Sequence, residues 1–256
     1  MKYYQQLIKI GCFTWAEFCD IVGNPKTADS LARNYLNKGF IKSVKRGLYT
    51  AIDLATGEPV VNKFRIAGKI TPSSYVSHHS AFEYYGCANQ VSYQTIVSSD
   101  TTFSEFIFNG ITYSFIGSRI NNGIHTCPDN VRVTDIERTI LDGINDYEKV
   151  MGLEELLRCI ELIPLVKEDK LIKYLADYDK QVLYQKAGYI LWHYKDSLDL
   201  SDDFFQICKL NIGKSKRYLY KTTLRNNMVY DRHWRLIVPN DLMSIVNKGV
   251  NVNAEI

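Results

Sequence analysis

The sequence predicts an α+β fold, in which an N-terminal winged helix-turn-helix precedes a larger mixed α/β domain with a helical C-terminal subdomain. Three observations carry this. Two short helical patterns flank Gly23-Asn24-Pro25 and run into an alternating stretch from Phe40 to Ala51, Asn109-Gly110 divides two β-rich runs, and three apolar stripes at helical spacing follow Thr134. At 256 residues, 46% hydrophobic and 23% charged, the chain has room for two ordinary domains, and its composition excludes collagen-like, proline-rich and low-complexity classes.

Tyr4, Leu7 and Ile8 open the chain at helical spacing. Thr14-Trp15-Ala16-Glu17 then matches the capping box, with Phe13 and Phe18 placed as a hydrophobic staple. The spacing predicts a helix over 15–22, ended by Gly23 in the left-handed conformation. A second helix carries Ala28, Leu31, Ala32, Tyr35 and Leu36 on one face and ends at Gly39. Its opposite face presents Lys26, Ser30, Arg33 and Asn37, with Thr27 and Asn34 on the flank, as a recognition helix does in the major groove. The hairpin that follows has a basic tip at Lys45-Arg46-Gly47, and the spacing of Ile41 and Val44 predicts a bulge or early turn. These elements place the winged helix over 1–53 with its own core, a linker or start of the second domain over 54–69 around Gly57-Glu58-Pro59, and the α+β domain over 70–256.

In that larger domain, Ser77 is expected to cap a short helix ended by Gly86, and Gln94–Ser98 reads as a strand. Phe106–Phe108 and Ile111–Ile116 form a hairpin on the type I′ turn that Asn-Gly favours. Thr134-Asp135-Ile136-Glu137 is a second capping box. Helical stripes follow at Leu153, Leu156, Leu157, Ile160, at Leu171, Ile172, Leu175, and at Leu183, Ala187, Ile190, Leu191, Tyr194. Asn240-Asp241 caps a last helix closed by Gly249.

The net charge of +3 is unevenly spread. Residues 1–51 hold eight bases against three acids, 129–203 hold ten bases against 17 acids, and 205–239 hold eight bases against one acid. Basic ends on either side of an acidic stretch favour a polyanionic partner, here double-stranded DNA. Lys214, Lys216, Arg217 and Lys221 interleave with Tyr218 and Tyr220, a pattern suited to phosphate contact and stacking. The longest charge-free run, between Glu83 and Asp100, is polar, so no membrane partner is expected and the location is expected to be cytoplasmic.

The stretch from Leu36 to Tyr49, LNKGFIKSVKRGLY, resembles the recognition-helix end and wing of the AbiEi antitoxins of type IV toxin–antitoxin and abortive-infection systems. Three later patches reinforce the resemblance in order, Tyr75–Gly86, Val133–Asp142 and Trp234–Pro239. It implies a transcriptional autorepressor bound to repeated operator sites in its own promoter. It also implies an antitoxin that counters a nucleotidyltransferase toxin encoded beside it without a stable complex, and makes 70–256 the α+β antitoxin domain.

No catalytic residue, metal ligand or cofactor is assigned from the sequence. Six scattered cysteines include no C-x-x-C pair. Ile212-Gly213-Lys214-Ser215 has the tail of a phosphate loop, but the required earlier glycine is Cys208. Glu168-Asp169-Lys170 spells half of a nuclease motif, but in a helical context. His79 and Glu83 share a helix face beside His78, with no third ligand nearby in sequence, and Asp135, Glu137, Arg138 and Asp142 read as helix-start acids with a local ion pair. A nuclease-like enzyme targeted by a winged helix, and a ligand-sensing winged-helix regulator, are the alternatives to a non-enzymatic repressor and antitoxin.

Overall fold

Helix α1 (Tyr4–Ile10) turns at Gly11 into strand β1 (Cys12–Thr14), and helix α2 (Trp15–Val22) starts at once. The computed structural model describes residues 3–220 and 228–247. Thr14 and Glu17 close the expected capping box: the Glu17 amide donates to Thr14 Oγ1 at 3.3 Å and the Thr14 amide to Glu17 Oε2 at 2.8 Å. Phe13 stacks on Phe18 at 5.7 Å, and Gly23 ends the helix at φ 80°. Asn24 caps helix α3 (Pro25–Asn37), which buries Ala28, Ala32 and Tyr35. Strands β2 (Ile41–Lys45) and β3 (Leu48–Ala51) follow, with the register shift falling between Ser43 and Lys45. The sheet order β1-β3-β2 under three helices is a winged helix. Its third strand, β1, is too short to leave a period in the sequence.

Residues 54–69 are not a spacer. The Asp53 amide donates to Glu58 O at 2.9 Å and the Val60 amide to Ala51 O at 3.0 Å, so Gly57 and Pro59 mark a tight turn laid back on the wing sheet. Helix α4 (Lys63–Ala67) then buries Ile66 and Ala67, Arg65 donates to Ile10 O at 2.7 Å, and Lys69 pairs with Glu17 at 2.5 Å. Val60 packs against the winged-helix core, whereas Ile66 and Ala67 sit on a helix whose main contacts are residues 75–76 and 94–99. The boundary expected at residue 53 therefore moves. The chain forms two compact units, one of residues 1–76, 92–118 and 124–133, the other of 77–91, 119–123 and 134–256.

The first unit also holds a six-stranded sheet. Its strands are β4 (Tyr75–Val76), β5 (Gln94–Ser99), β6 (Phe106–Phe108), β7 (Ile111–Gly117), β8 (Ile124–Thr126) and β9 (Arg132–Thr134), in the order β6-β7-β5-β4-β9-β8. The β6–β7 hairpin forms as expected, with Asn109 and Gly110 both at positive φ, as a type I′ turn demands.

The second unit starts with helix α5 (His78–Tyr84) and continues from α6 (Ile136–Asn145) through α7 (Leu153–Glu161), α8 (Glu168–Tyr178), α9 (Gln181–Trp192) and α10 (Asp202–Leu210). Strands β10 (Arg217–Tyr218), β11 (Met228–Asp231) and β12 (Leu236–Pro239) make a small sheet, and α11 (Ser244–Asn247) follows. The three expected stripes form one core, with Leu156, Ile160, Leu171, Leu175 and Leu191 fully buried. At Gly188 the Trp234 ring lies so close that a Cβ would stand 2.1 Å from it, which is why α9 carries a glycine in mid-helix. Two cap assignments change. Asp135, not Thr134, caps α6, taking the Arg138 amide at 3.0 Å while Thr134 pairs with Thr139. Ser77 makes no cap bond; its hydroxyl meets the ring of His78 at 2.9 Å. Gly249 lies outside the described residues.

Candidate nucleic-acid interface and buried polar clusters

Along α3 the apolar face is consumed by the winged-helix core, and Lys26, Thr27, Ser30, Arg33, Asn34 and Asn37 are all exposed together. The face is partly self-satisfied. Asn24 Oδ1 accepts from the Thr27 amide at 3.1 Å and faces its hydroxyl at 3.4 Å, so Thr27 belongs to the cap. Arg33 is 76% exposed and pairs with Asp29 one turn back at 2.8 Å. An exposed pair of this kind is worth under about 1 kcal/mol and exchanges readily for a phosphate or base edge.

At the wing the two expected bases separate. Arg46 is exposed at the turn, whereas Lys45 is half-buried, its ammonium 5.4 Å from the ring centre of Phe103 and 5.8 Å from that of Phe106. The strand pair β2–β3 therefore leans on the six-stranded sheet through a cation–π contact. Lys42, which the sequence reading did not select, is exposed and donates to Gly57 O at 3.0 Å.

In the second unit Lys214, Lys216 and Arg217 are exposed, and Lys221 lies outside the described residues. Lys216 and Arg217 line a cleft of about 790 Å³ with Lys180, Lys186, Tyr147 and Tyr218. Lys216 sits 4.7 Å over Tyr230, and Lys186 5.7 Å over Tyr147. Burial pulls the Lys180 ammonium below its ordinary value, with Arg119 adding to the effect. The bases gather where rings already lie, and Asp146 and Glu148 share the same wall.

The acids and the arginine around α6 are not a surface cluster. Arg138, 1% exposed, donates from Nε to Asp142 Oδ1 at 2.7 Å and from Nη1 to Ile120 O and Asn122 O at 3.0 and 2.8 Å. Tyr178 donates to the same Asp142 oxygen. Asp135 Oδ2 accepts from Tyr174 at 2.7 Å and from Lys170 at 2.8 Å, and Glu137 accepts from the Lys167 amide at 2.8 Å. Burial alone would lower the Lys170 ammonium, but the bond and charge of Asp135, with Glu137, hold it above the ordinary lysine value. Burial pushes the Tyr178 and Tyr174 hydroxyls up, so both stay donors. The network stitches residues 120–122 and α8 to α6. Glu168, read as a solvated helix start, instead accepts from the Ser201 amide and hydroxyl at 2.6 and 2.7 Å.

His79 is buried near the start of α5. It faces α7, where Glu155 and Cys159 stand one turn apart: Nε2 lies 3.3 Å from Glu155 Oε1, and Cys159 Sγ lies 3.6 Å from the same oxygen. The amides of Asn89 and Gln90 also donate to that oxygen, at 3.0 and 3.1 Å. Burial and the neighbouring Glu155 push the Cys159 thiol well up. Sequence reasoning missed Glu155 and Cys159 because they interrupt a leucine stripe at i, i+4 spacing, as solvent-facing residues usually do.

No helix among the described residues is long and apolar enough to cross a membrane. No protein-family model matches the chain, and no curated protein does. Among solved structures the chain is similar to the crystal structure of the Rv2827c protein from Mycobacterium tuberculosis, with a TM-score of 0.66 at 12% identity, covering 97% of this chain and 93% of that one. At that identity the likeness is one of fold.

Proposed function

We propose that the protein is a non-enzymatic, DNA-binding transcriptional regulator that reads the major groove with α3 and holds flanking phosphate with the wing. The observation that carries this is the exposed row Lys26, Ser30, Arg33, Asn34 and Asn37 on the third helix of a winged helix whose opposite face is fully used for packing. The resemblance to AbiEi antitoxins supplies the biological setting, repression of its own promoter and opposition to a neighbouring nucleotidyltransferase toxin. Under that reading Lys216 and Arg217, with Lys214 and Lys221, serve the second activity by competing for the toxin's polyanionic target.

The test is binding of the full chain to duplex DNA from upstream of its own gene, followed by fluorescence anisotropy across a salt series. Arg33→Ala is expected to cost about 1–3 kcal/mol and relax preference at one base position, whereas Arg46→Ala weakens all sequences alike and lowers the salt slope by about one. Lys45→Ala acts less, because its ammonium is already engaged by Phe103 and Phe106. Wild-type binding by an Arg33→Ala/Arg46→Ala chain would overturn the assignment. For the second activity, growth rescue in cells making the neighbouring toxin is expected to fail when Lys214, Lys216, Arg217 and Lys221 are all alanine.

A further inference from the structure

Glu155 is a buried carboxylate with its hydrogen bonds on one side. Four donors crowd Oε1, whereas Oε2 is buried with no hydrogen-bond partner among the described residues, and so is Nδ1 of His79. A bare carboxylate oxygen in the interior costs about 1–3 kcal/mol or more, and an unseen ion is one of its recognised explanations. The His79–Glu155 separation of 3.3 Å is long for a charge-assisted hydrogen bond, which closes to about 2.7–2.9 Å. It suits two ligands on one metal. Imidazole nitrogen, carboxylate oxygen and Sγ all lie within 4.8 Å of one another, and the three residues are at most 3% exposed.

We propose that His79, Glu155 and Cys159 bind one divalent cation of the zinc class, with both Glu155 oxygens completing four-coordination. The ligand set selects the metal. Thiolate and imidazole disfavour magnesium and calcium, and a single carboxylate with one thiolate balances a double positive charge once His79 is neutral. Binding replaces the proton of the Cys159 thiol, M²⁺ taking the sulfur electron pair and H⁺ leaving to solvent, so uptake falls as pH drops. The ion would tie α5 to α7 and hold the turn at Asn89-Gln90 through Glu155. With no solvent-facing position, the site is structural in character.

The experiment uses the full chain, stripped with chelator and refilled. Wild type is expected to retain one zinc per chain after dialysis and to melt at a higher temperature with zinc than without. With Co²⁺ as the probe it should show a thiolate-to-cobalt charge-transfer absorption. Cys159→Ala, checked for folding by circular dichroism, should lose that band and bind zinc more than about 100-fold more weakly, beyond the loss typical of an outer-shell change. Glu155→Gln serves as the second variant. Two results overturn the proposal: stripped, folded wild type that takes up no zinc and gives no cobalt–thiolate band, or stoichiometric metal whose affinity is the same in Cys159→Ala. The readout does not depend on DNA binding, so it fails or stands apart from the proposed function.

Discussion

Helices α3 and α6 carry charged and polar residues at similar spacing and use them in opposite ways. On α3 the side chains opposite the apolar stripe face solvent, where Arg33 holds Asp29 across one exposed turn. On α6 the corresponding side chains are sealed: Arg138 holds Asp142 across one turn at 2.7 Å, both about 1% exposed. The same i, i+4 ion pair is an exchangeable surface contact in one place and a fixed strut in the other. What decides is the number of neighbours. One face of α3 packs and the other is free, whereas α6 is packed by α5, α8 and α9. A helix enclosed on both sides must satisfy its charges internally, and Tyr178, Tyr174, Lys170 and the carbonyls of Ile120 and Asn122 do this.

The largest expected effect tests that contrast. Arg138→Ala leaves the buried Asp142 carboxylate without its cation and removes the guanidinium bonds to the carbonyls of residues 120 and 122, so unfolding in urea should register a loss of about 3–5 kcal/mol. Arg33→Ala should change stability by less than about 0.5 kcal/mol. If the two variants lose similar stability, the distinction between the helices is wrong. Asp142→Asn keeps the shape and sharpens the point, because it removes the charge that Arg138 needs while leaving the tyrosine bond.

An intermediate effect is expected from pH. His78 is fully buried beside this network, and burial lowers its pKa from 6.5 against the opposing pull of Asp142 and Asp146. The unfolded chain therefore takes the proton more readily than the folded one. Stability is full above about pH 6.5 and falls as pH drops toward the lower folded value, by up to about 1.4 kcal/mol per pH unit. Urea midpoints measured from pH 7.5 to 5.5 should decline in wild type and decline less in His78→Gln. Equal slopes would remove His78 as a cause. No comparable slope is expected from α3, which carries no histidine.

The contrast also explains what could be read in the sequence. The winged helix was legible because its signals are local: the Thr14–Glu17 box, the αL glycine at 23, the Asn24-Pro25 start and the hairpin each act within a few residues. The Asn109-Gly110 hairpin and the three apolar stripes were legible for the same reason. The packing of residues 54–69 against the winged helix was not, since Gly57 and Pro59 mark a turn equally well in a linker or a folded edge. Strands β4, β8 and β9 are two or three residues long and exist only through pairing across the sheet. At α6 the first-turn position of Glu137 suggested a cap, but its carboxylate is spent on Lys167 and Lys170, more than two dozen residues on. The His79, Glu155 and Cys159 cluster likewise joins positions that no spacing rule connects.

The smallest expected effect lies at Asp29. Its carboxylate holds Arg33 at 2.8 Å on the face proposed to meet DNA, so a phosphate or guanine must displace it. Two contributions then favour binding in Asp29→Asn. The guanidinium no longer has to be released from an ion pair worth about 0.3–0.5 kcal/mol, and one negative charge leaves the interface. A gain of about twofold in affinity is expected at low salt, shrinking as the Debye length falls below about 10 Å. Folding stability should drop by no more than about 0.5 kcal/mol, the value of the lost pair. Anisotropy titrations of wild type and Asp29→Asn at two ionic strengths measure both. Weaker binding by Asp29→Asn would mean that Asp29 positions Arg33 for its contact, and α3 would then share with α6 the use of a carboxylate as a strut.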